Sequence, residues 1–214
     1  MVSALALARQ GVRVHLVEKG ERLGGLGRRI RNSIEGGDVR AYVQELIKEV
    51  YGNLSILVYT ETDLVEISGY VGNFLSTISV GKRLTVKKIS HGATIVATGA
   101  EELKPKAYLF GKDQRVVTLL QLEEELDEHP DGFRDCGSLV MIQCVGSRDD
   151  ERSYCSKVCC TQAIKAALTL KTISPGMEIY ILYRDMRTYG FREDYYRKAA
   201  DKGVIFIRYD LNDK

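Results

Sequence analysis

Between Leu139 and Tyr209 the sequence runs strand, helix, strand, helix, strand, and this order restricts the fold more than any other feature. Leu139 to Cys144 is an apolar strand and 157 to 171 a helix. Glu178 to Tyr183 is a second strand, 192 to 202 a helix and Val204 to Tyr209 a third strand. Successive strands joined by helices cannot pair as hairpins, so they form a parallel sheet with right-handed crossovers. The chain stops soon after the third strand, at Asn212-Asp213-Lys214, and reads as truncated there.

The first half repeats part of this logic. Residues 2 to 10 form a helix burying Leu5, Leu7 and Ala8, ended by Gly11, and Val12 to Glu18 alternates as a strand does. A helix that opens a chain and feeds such a strand is the second half of a β-α-β unit whose first strand is missing. A helix at 38 to 50 starts on Asp38, a side chain suited to capping. Strand signals follow at 54–59, 63–68, 73–79, 84–89 and 93–97, with turns at Gly69, Gly72 and Gly81, and a short acidic helix spans 118 to 128. With Pro130 and two glycines, the stretch from His129 to Gly137 marks a lobe boundary. The expected organisation is a lobe over 1–130 and a second over 131–214, giving an α/β fold of Rossmann-like parallel sheets with a β-meander.

The 214 residues are 44% hydrophobic and 28% charged with a net charge of +2, an ordinary globular composition that excludes disordered and collagen-like classes. Interspersed charges of both signs provide no field for holding nucleic acid. No run of about 18 apolar residues is present to span a membrane. The apolar start is followed by Arg9 rather than preceded by basic residues, unlike a signal peptide. The five cysteines all fall between Cys136 and Cys160, which points to metal or redox chemistry in a reducing cytoplasm.

Glu18 ends its strand where a dinucleotide fold places the carboxylate that takes ribose hydroxyls. Gly24, Gly25 and Gly27, flanked by Arg22, Arg28, Arg29 and Arg31, form a loop suited to a pyrophosphate or simply a basic turn. Ala93 to Gly99 reads as a buried strand ending on the small residues Ala97, Thr98 and Gly99. A glutamate at a strand end, a Gly-Gly loop, a meander and an Ala-Thr-Gly strand end resemble the FAD domain of two-dinucleotide-domain flavoprotein oxidoreductases. The resemblance implies that Glu18 holds the FAD ribose, Gly24 and Gly25 lie by the diphosphate, and Ala97, Thr98 and Gly99 line the cofactor.

The cysteines carry a sharper signal. Cys144 ends the first strand of the second lobe, and Cys155, Cys159 and Cys160 open the helix after it, so four thiols can gather at one strand end. Cys155 and Cys159 share a face at helical spacing, whereas Cys160 is turned away by about 100° in a regular helix, so convergence needs an irregular first turn. A nicotinamide-binding domain keeps this turn glycine-rich. Four thiolates suit a [4Fe-4S] cluster or zinc, the latter favouring paired C-x-x-C knuckles that are lacking here. A redox pair such as Cys155 with Cys159 is a further option. Cys136, ahead of the strand, is read as a non-ligand. The loop with Arg184, Arg187, Tyr183, Tyr189 and Phe191 either reaches a ligand crevice or packs its tyrosines on the sheet.

Three segments, Cys144-Val145-Gly146-Ser147-Arg148, Tyr154-Cys155-Ser156-Lys157-Val158-Cys159-Cys160-Thr161 and Tyr183-Arg184-Asp185-Met186-Arg187-Thr188-Tyr189-Gly190, resemble the heterodisulfide reductase family, in its large flavin-bearing component and the relatives of that component. The resemblance implies an oxidoreductase carrying FAD and [4Fe-4S] clusters in anaerobic archaea and bacteria, as in methanogenesis. Its partners would be other heterodisulfide reductase-type subunits and ferredoxin-like or hydrogenase electron carriers, with Cys144, Cys155, Cys159 and Cys160 as cluster ligands. Two departures stand out: a short hairpin between Val80 and Ile89 where relatives often carry a cysteine-rich insertion, and the missing glycine-rich first turn. The alternatives are a pyridine-nucleotide-disulfide-type flavin oxidoreductase using a cysteine pair and a non-catalytic zinc-binding module.

Overall fold

In the computed structural model, which describes residues 1–81 and 85–210, α1 (Val2–Arg9) buries Ala4, Leu5 and Ala8, the stripe that one helical face can turn inward. It stops at Gly11, whose φ of +80° only a residue without Cβ adopts cheaply. β1 (Val14–Val17) follows and pairs in parallel with β2 (Ile56–Tyr59), Val14 opposite Ile56 and Val17 opposite Tyr59. Between them runs α2 (Val39–Gly52), whose first turn is capped by Asp38 accepting from the Ala41 N–H at 2.8 Å. Val50, Ile56 and Leu23 close on α1 to form a small apolar core.

A three-stranded antiparallel meander completes this unit: β3 (Thr62–Tyr70), β4 (Asn73–Val80) and β5 (Thr85–His91). At the tight β3–β4 turn a Cβ on Gly69 would lie 2.1 Å from the Asn73 carbonyl, which explains glycine there. The turn of the short hairpin between Val80 and Ile89, at 82–84, lies outside the described residues, as does the Asn212-Asp213-Lys214 end.

One expected element is absent among the described residues. The 93–97 run is neither a strand nor buried, with Ile95 and Val96 59% and 78% exposed. An extended run becomes a strand only by pairing, and β1 pairs only with β2 among the described residues. Local anchoring holds the start of the run instead: His91 Nδ1 lies 3.1 Å from the Ala93 carbonyl and its Nε2 2.7 Å from Ser76 Oγ.

The chain divides into two compact units, Met1–Arg29 with Asp38–Glu101, and Ile30–Gly37 with Glu102–Lys214. In the second, β6 (Ser138–Ile142), β7 (Glu178–Tyr183) and β8 (Val204–Arg208) form a parallel sheet in sequence order. The crossovers are α4 (Cys159–Ile173) and α5 (Glu193–Asp201). Ile179 and Ile181 are wholly buried with Ile164, Ala167 and Leu170 of α4, so one face of the sheet is the core. The other face exposes Val140, Ile205 and Ile207. α3 (Leu119–Glu128) adds Leu122 to this core and is entered through a capping box between Thr118 and Gln121. Glu123 of α3 is paired with Lys165 of α4, which also donates to the Asn32 carbonyl at 2.7 Å and so secures the 30–37 segment.

The architecture is therefore α/β, with parallel sheets and an antiparallel three-stranded meander, as the hydrophobic periodicities predict. No helix among the described residues is long and apolar enough to cross a membrane.

Candidate functional site

The cysteine site is built where β6 ends. Gln143 continues the sheet by donating its N–H to the Leu182 carbonyl at 2.9 Å. Cys144 then turns out of it with φ +63°, and Arg148 (φ +58°) and Lys157 (φ +60°) adopt the same left-handed region before α4 begins. Side chains with a Cβ are strained there, at a cost of order 1–3 kcal/mol each, and such strain gathers where a loop must aim its side chains. Gly146 at φ +68° could not be replaced cheaply either, because a side chain is strained at that backbone angle, and its Cβ would also push on the tip of Leu103.

α4 starts at Cys159, so Cys155 lies in the irregular stretch ahead of it rather than on its face. The helical spacing of Cys155 and Cys159 is thus not realised: the left-handed turn at Lys157 breaks it, and the Lys157 N–H points back to Cys155 Sγ at 3.3 Å. Cys160 is only 2% exposed, with its Sγ 3.8 Å from the Asp185 carbonyl. Cys136 bonds away from the site, to the Ser138 carbonyl at 3.4 Å.

The thiols are not equivalent. Burial raises Cys144 above the ordinary thiol range, against the pull of Arg148, and the neighbouring Cys159 and Cys155 raise it further. Cys159 is lowered to about 6, first by the hydrogen bond from Cys160 and then by that from Ser156 Oγ, 3.9 Å away. Cys160 is pushed up by the same bond to Cys159 and by burial. Cys144, Cys159 and Cys160 therefore sense one another's charge, and Cys155 reaches Cys144. Among the described residues, no three His, Cys, Asp or Glu side chains converge as a metal-binding group. By donor chemistry alone, Cys144, Cys155, Cys159 and Cys160 are free thiols of the kind that could hold a thiophilic centre.

Arg148 and Asp185 complete the surroundings. Arg148 Nη2 lies 2.5 Å from Asp185 Oδ2 and Nη1 4.0 Å from Cys144 Sγ, while Arg184 donates to the Arg148 carbonyl. With Arg208, Tyr209 and Asp210 these residues line a cavity of about 480 Å³ at the carboxyl end of the sheet. Sequence reasoning singles out Arg148 and Arg184 but misses the pairing of Arg148 with Asp185, which lies 37 residues away.

In the first unit, Glu18 is fixed at the end of β1. Its N–H donates to the Tyr59 carbonyl at 2.8 Å, and its Oε1 accepts from the Gly20 N–H at 2.7 Å. Gly24, at φ +108°, precedes a short 3-10 turn over Gly25–Arg28. A Cβ on Gly24 would lie 2.9 Å from both Arg28 and Val43, so packing of the loop against α2 already requires glycine. Gly25, at φ +48°, has open space where its Cβ would be, leaving bare backbone for a ligand to approach. Ala97, Thr98 and Gly99 lie exposed in the unpaired stretch.

Comparison with known proteins assigns this architecture a lineage. No family model matches the chain. The A component of the H(2)/formate:CoB-CoM heterodisulfide,ferredoxin reductase of Methanococcus maripaludis is 38% identical over 136 residues, covering 56% of this chain and 21% of its own. The corresponding iron-sulfur component of the CoB--CoM heterodisulfide reductase of Methanocaldococcus jannaschii is 36% identical over 137 residues, with the same shares. This chain is homologous, over part of its length, to these heterodisulfide reductase components. It spans about one fifth of the length of those curated relatives.

Solved structures extend the fold of this heterodisulfide reductase homologue to flavoprotein disulfide reductases. The bacillithiol disulfide reductase of Bacillus cereus aligns with a TM-score of 0.53 at 16% identity, over 96% of this chain and 63% of its own. An HOCl-induced flavoprotein disulfide reductase of Escherichia coli aligns with a TM-score of 0.51 at 14% identity, over 97% and 46%. At these identities the likeness concerns the fold.

Proposed function

We propose that this chain is the flavin- and cluster-bearing part of an electron-transfer component in a heterodisulfide reductase-like complex. The observation that carries the reading is the loop from Cys144 to Cys160. Four of the five thiols lie along the strand-to-helix connection in which a nicotinamide-binding domain presents bare glycine backbone to a pyrophosphate. The name of the Methanocaldococcus relative, which calls it iron-sulfur, supports the same chemistry.

In this reading Cys144, Cys155, Cys159 and Cys160 hold a [4Fe-4S] cluster. Glu18 takes the FAD ribose, Gly24 and Gly25 lie near its diphosphate, and Ala97, Thr98 and Gly99 line it. When bound, the flavin supplies two-electron chemistry and the cluster one-electron transfer. The chain's own share is placement. The left-handed turns at Cys144 and Lys157 aim the thiols, the sheet end anchors them through Gln143, and Asp149, Asp150 and Glu151 disfavour phosphates in the same loop. Partners are sibling subunits of the complex and ferredoxin-like or hydrogenase electron carriers, in the cytoplasm.

A second reading, a thiol-disulfide flavin enzyme, is favoured by the lowered Cys159 next to Cys160. Anaerobic purification, an absorbance spectrum and iron, zinc and flavin analysis separate the readings. Iron with a broad cluster absorbance supports the proposal. Flavin without iron supports the thiol enzyme, and zinc alone contradicts both.

A further inference from the structure

Resting on the cluster reading above, we propose that Arg148 and Asp185 form an opposed pair of charges that sets the reduction potential of the thiolate-held centre, Arg148 raising it and Asp185 restraining it. Neither residue is a ligand in this proposal. Both act through the field at the Cys144 sulfur.

The geometry carries the assignment. Arg148 is a basic residue whose side chain reaches a thiol, with Nη1 4.0 Å from Cys144 Sγ, and its side chain is only 16% exposed, so solvent and salt screen it weakly. A guanidinium stays charged at any accessible pH, which makes it a fixed cation in the site. Adding an electron adds negative charge to the centre, and a fixed cation beside a sulfur stabilises that state relative to the oxidised one. Asp185 sits on the other arm of the same guanidinium, 2.5 Å away, and its side chain is 46% exposed. Its carboxylate, paired with the guanidinium, cancels part of its field. Arg208 Nη2, 3.5 Å from Asp185 Oδ1, competes for that carboxylate and leaves Arg148 less fully neutralised.

The arrangement is also held from the backbone. Arg184 donates to the Arg148 carbonyl, Arg208 Nε donates to the Arg184 carbonyl at 3.1 Å, and the Asp185 carbonyl lies 3.8 Å from Cys160 Sγ. One loop after β7 thus holds the charge and lies beside a candidate ligand, and the guanidinium is kept next to the Cys144 sulfur.

The test is a potentiometric titration of the anaerobically reconstituted 214-residue chain, followed by EPR, with iron per chain measured on each sample. Arg148→Gln should move the midpoint to a more negative potential, and Arg148→Lys should keep most of the original value. Asp185→Asn should move it the other way, by less, because Asp185 is the more exposed charge. A site that merely holds the loop in place predicts something else: shifts of one sign, or iron lost from both Arg148→Gln and Asp185→Asn. Either result, or no shift in any variant at full iron content, overturns the proposal and leaves the cluster reading standing. An unaltered chain that takes up no iron overturns both.

Discussion

The hydroxyl of Tyr209, one residue beyond β8, donates to the carbonyl of Gln143 at 2.5 Å, tying the end of the third strand to the residue that leads into Cys144. Gln143 is 5% exposed, so its carbonyl has little access to water if that bond is lost.

Tyr209→Phe should therefore destabilise the chain by about 1–3 kcal/mol, the cost of a buried carbonyl left without its donor. Urea denaturation followed by circular dichroism measures it. A change within about 0.5 kcal/mol, as at an ordinary surface position, would show that the bond contributes nothing.

In the metal-free chain, Cys159 should be the thiol that alkylates first. Its rate should rise with pH and level off above about 6, because the bond from Cys160 holds Cys159 as thiolate there. Cys160 should stay unmodified at neutral pH, being raised by the same bond and by burial. The sign of the linked stability follows. Cys159 is lower in the folded state than its ordinary 9.0, so the native chain binds fewer protons than the unfolded one between about 6 and 9. Stability gains with pH across that window, and the gain is lost as pH falls through 6. Above 9 the raised Cys160 acts in the opposite sense. Peptide mass spectrometry after brief iodoacetamide pulses reads the rates, and equal labelling of both cysteines at pH 7 would refute the assignment.

NADH should not bind the second unit. The turn after β6 holds Cys144, Arg148, Asp149, Asp150 and Glu151 where a pyrophosphate needs free backbone N–H groups, and the Asp149 N–H is already spent on the Arg152 carbonyl at 3.2 Å. Nicotinamide fluorescence should be unchanged on adding the chain. A saturable enhancement would favour the pyridine-nucleotide alternative.

How much of this is legible in the sequence depends on whether the information is local. Helix starts are local: Asp38 and Thr118 act within three residues, and both caps fall where the apolar period begins. The parallel sheet is legible because Ile179 and Ile181 alternate and because helices separate the strands. Pairing is not local, so the apolar residues at 93–97 suggest a strand but name no partner, and the run lies exposed. Spacing draws Cys155 onto a helix, whereas the backbone at Lys157 leaves helical space, which no periodicity reports. Arg148 with Asp185 and Gln143 with Tyr209 are 37 and 66 residues apart, and only the sheet brings each pair together.

Substitution separates the four proposed ligands from the fifth thiol. Cys159→Ser should abolish iron uptake in anaerobic reconstitution. Cys136→Ser should retain it, since Cys136 Sγ is engaged with the Ser138 carbonyl at 3.4 Å. Iron retained in the Cys159 variant, or lost in the Cys136 variant, would mean that the ligand set is wrong.

EPR spectroscopy of the unaltered chain, reconstituted anaerobically with iron and sulfide and reduced with dithionite, tests the central claim most directly. The account predicts the signal of one reduced cubane cluster per chain, with about four iron atoms bound. A silent spectrum from a chain whose thiols bind zinc or pair as a disulfide would contradict it.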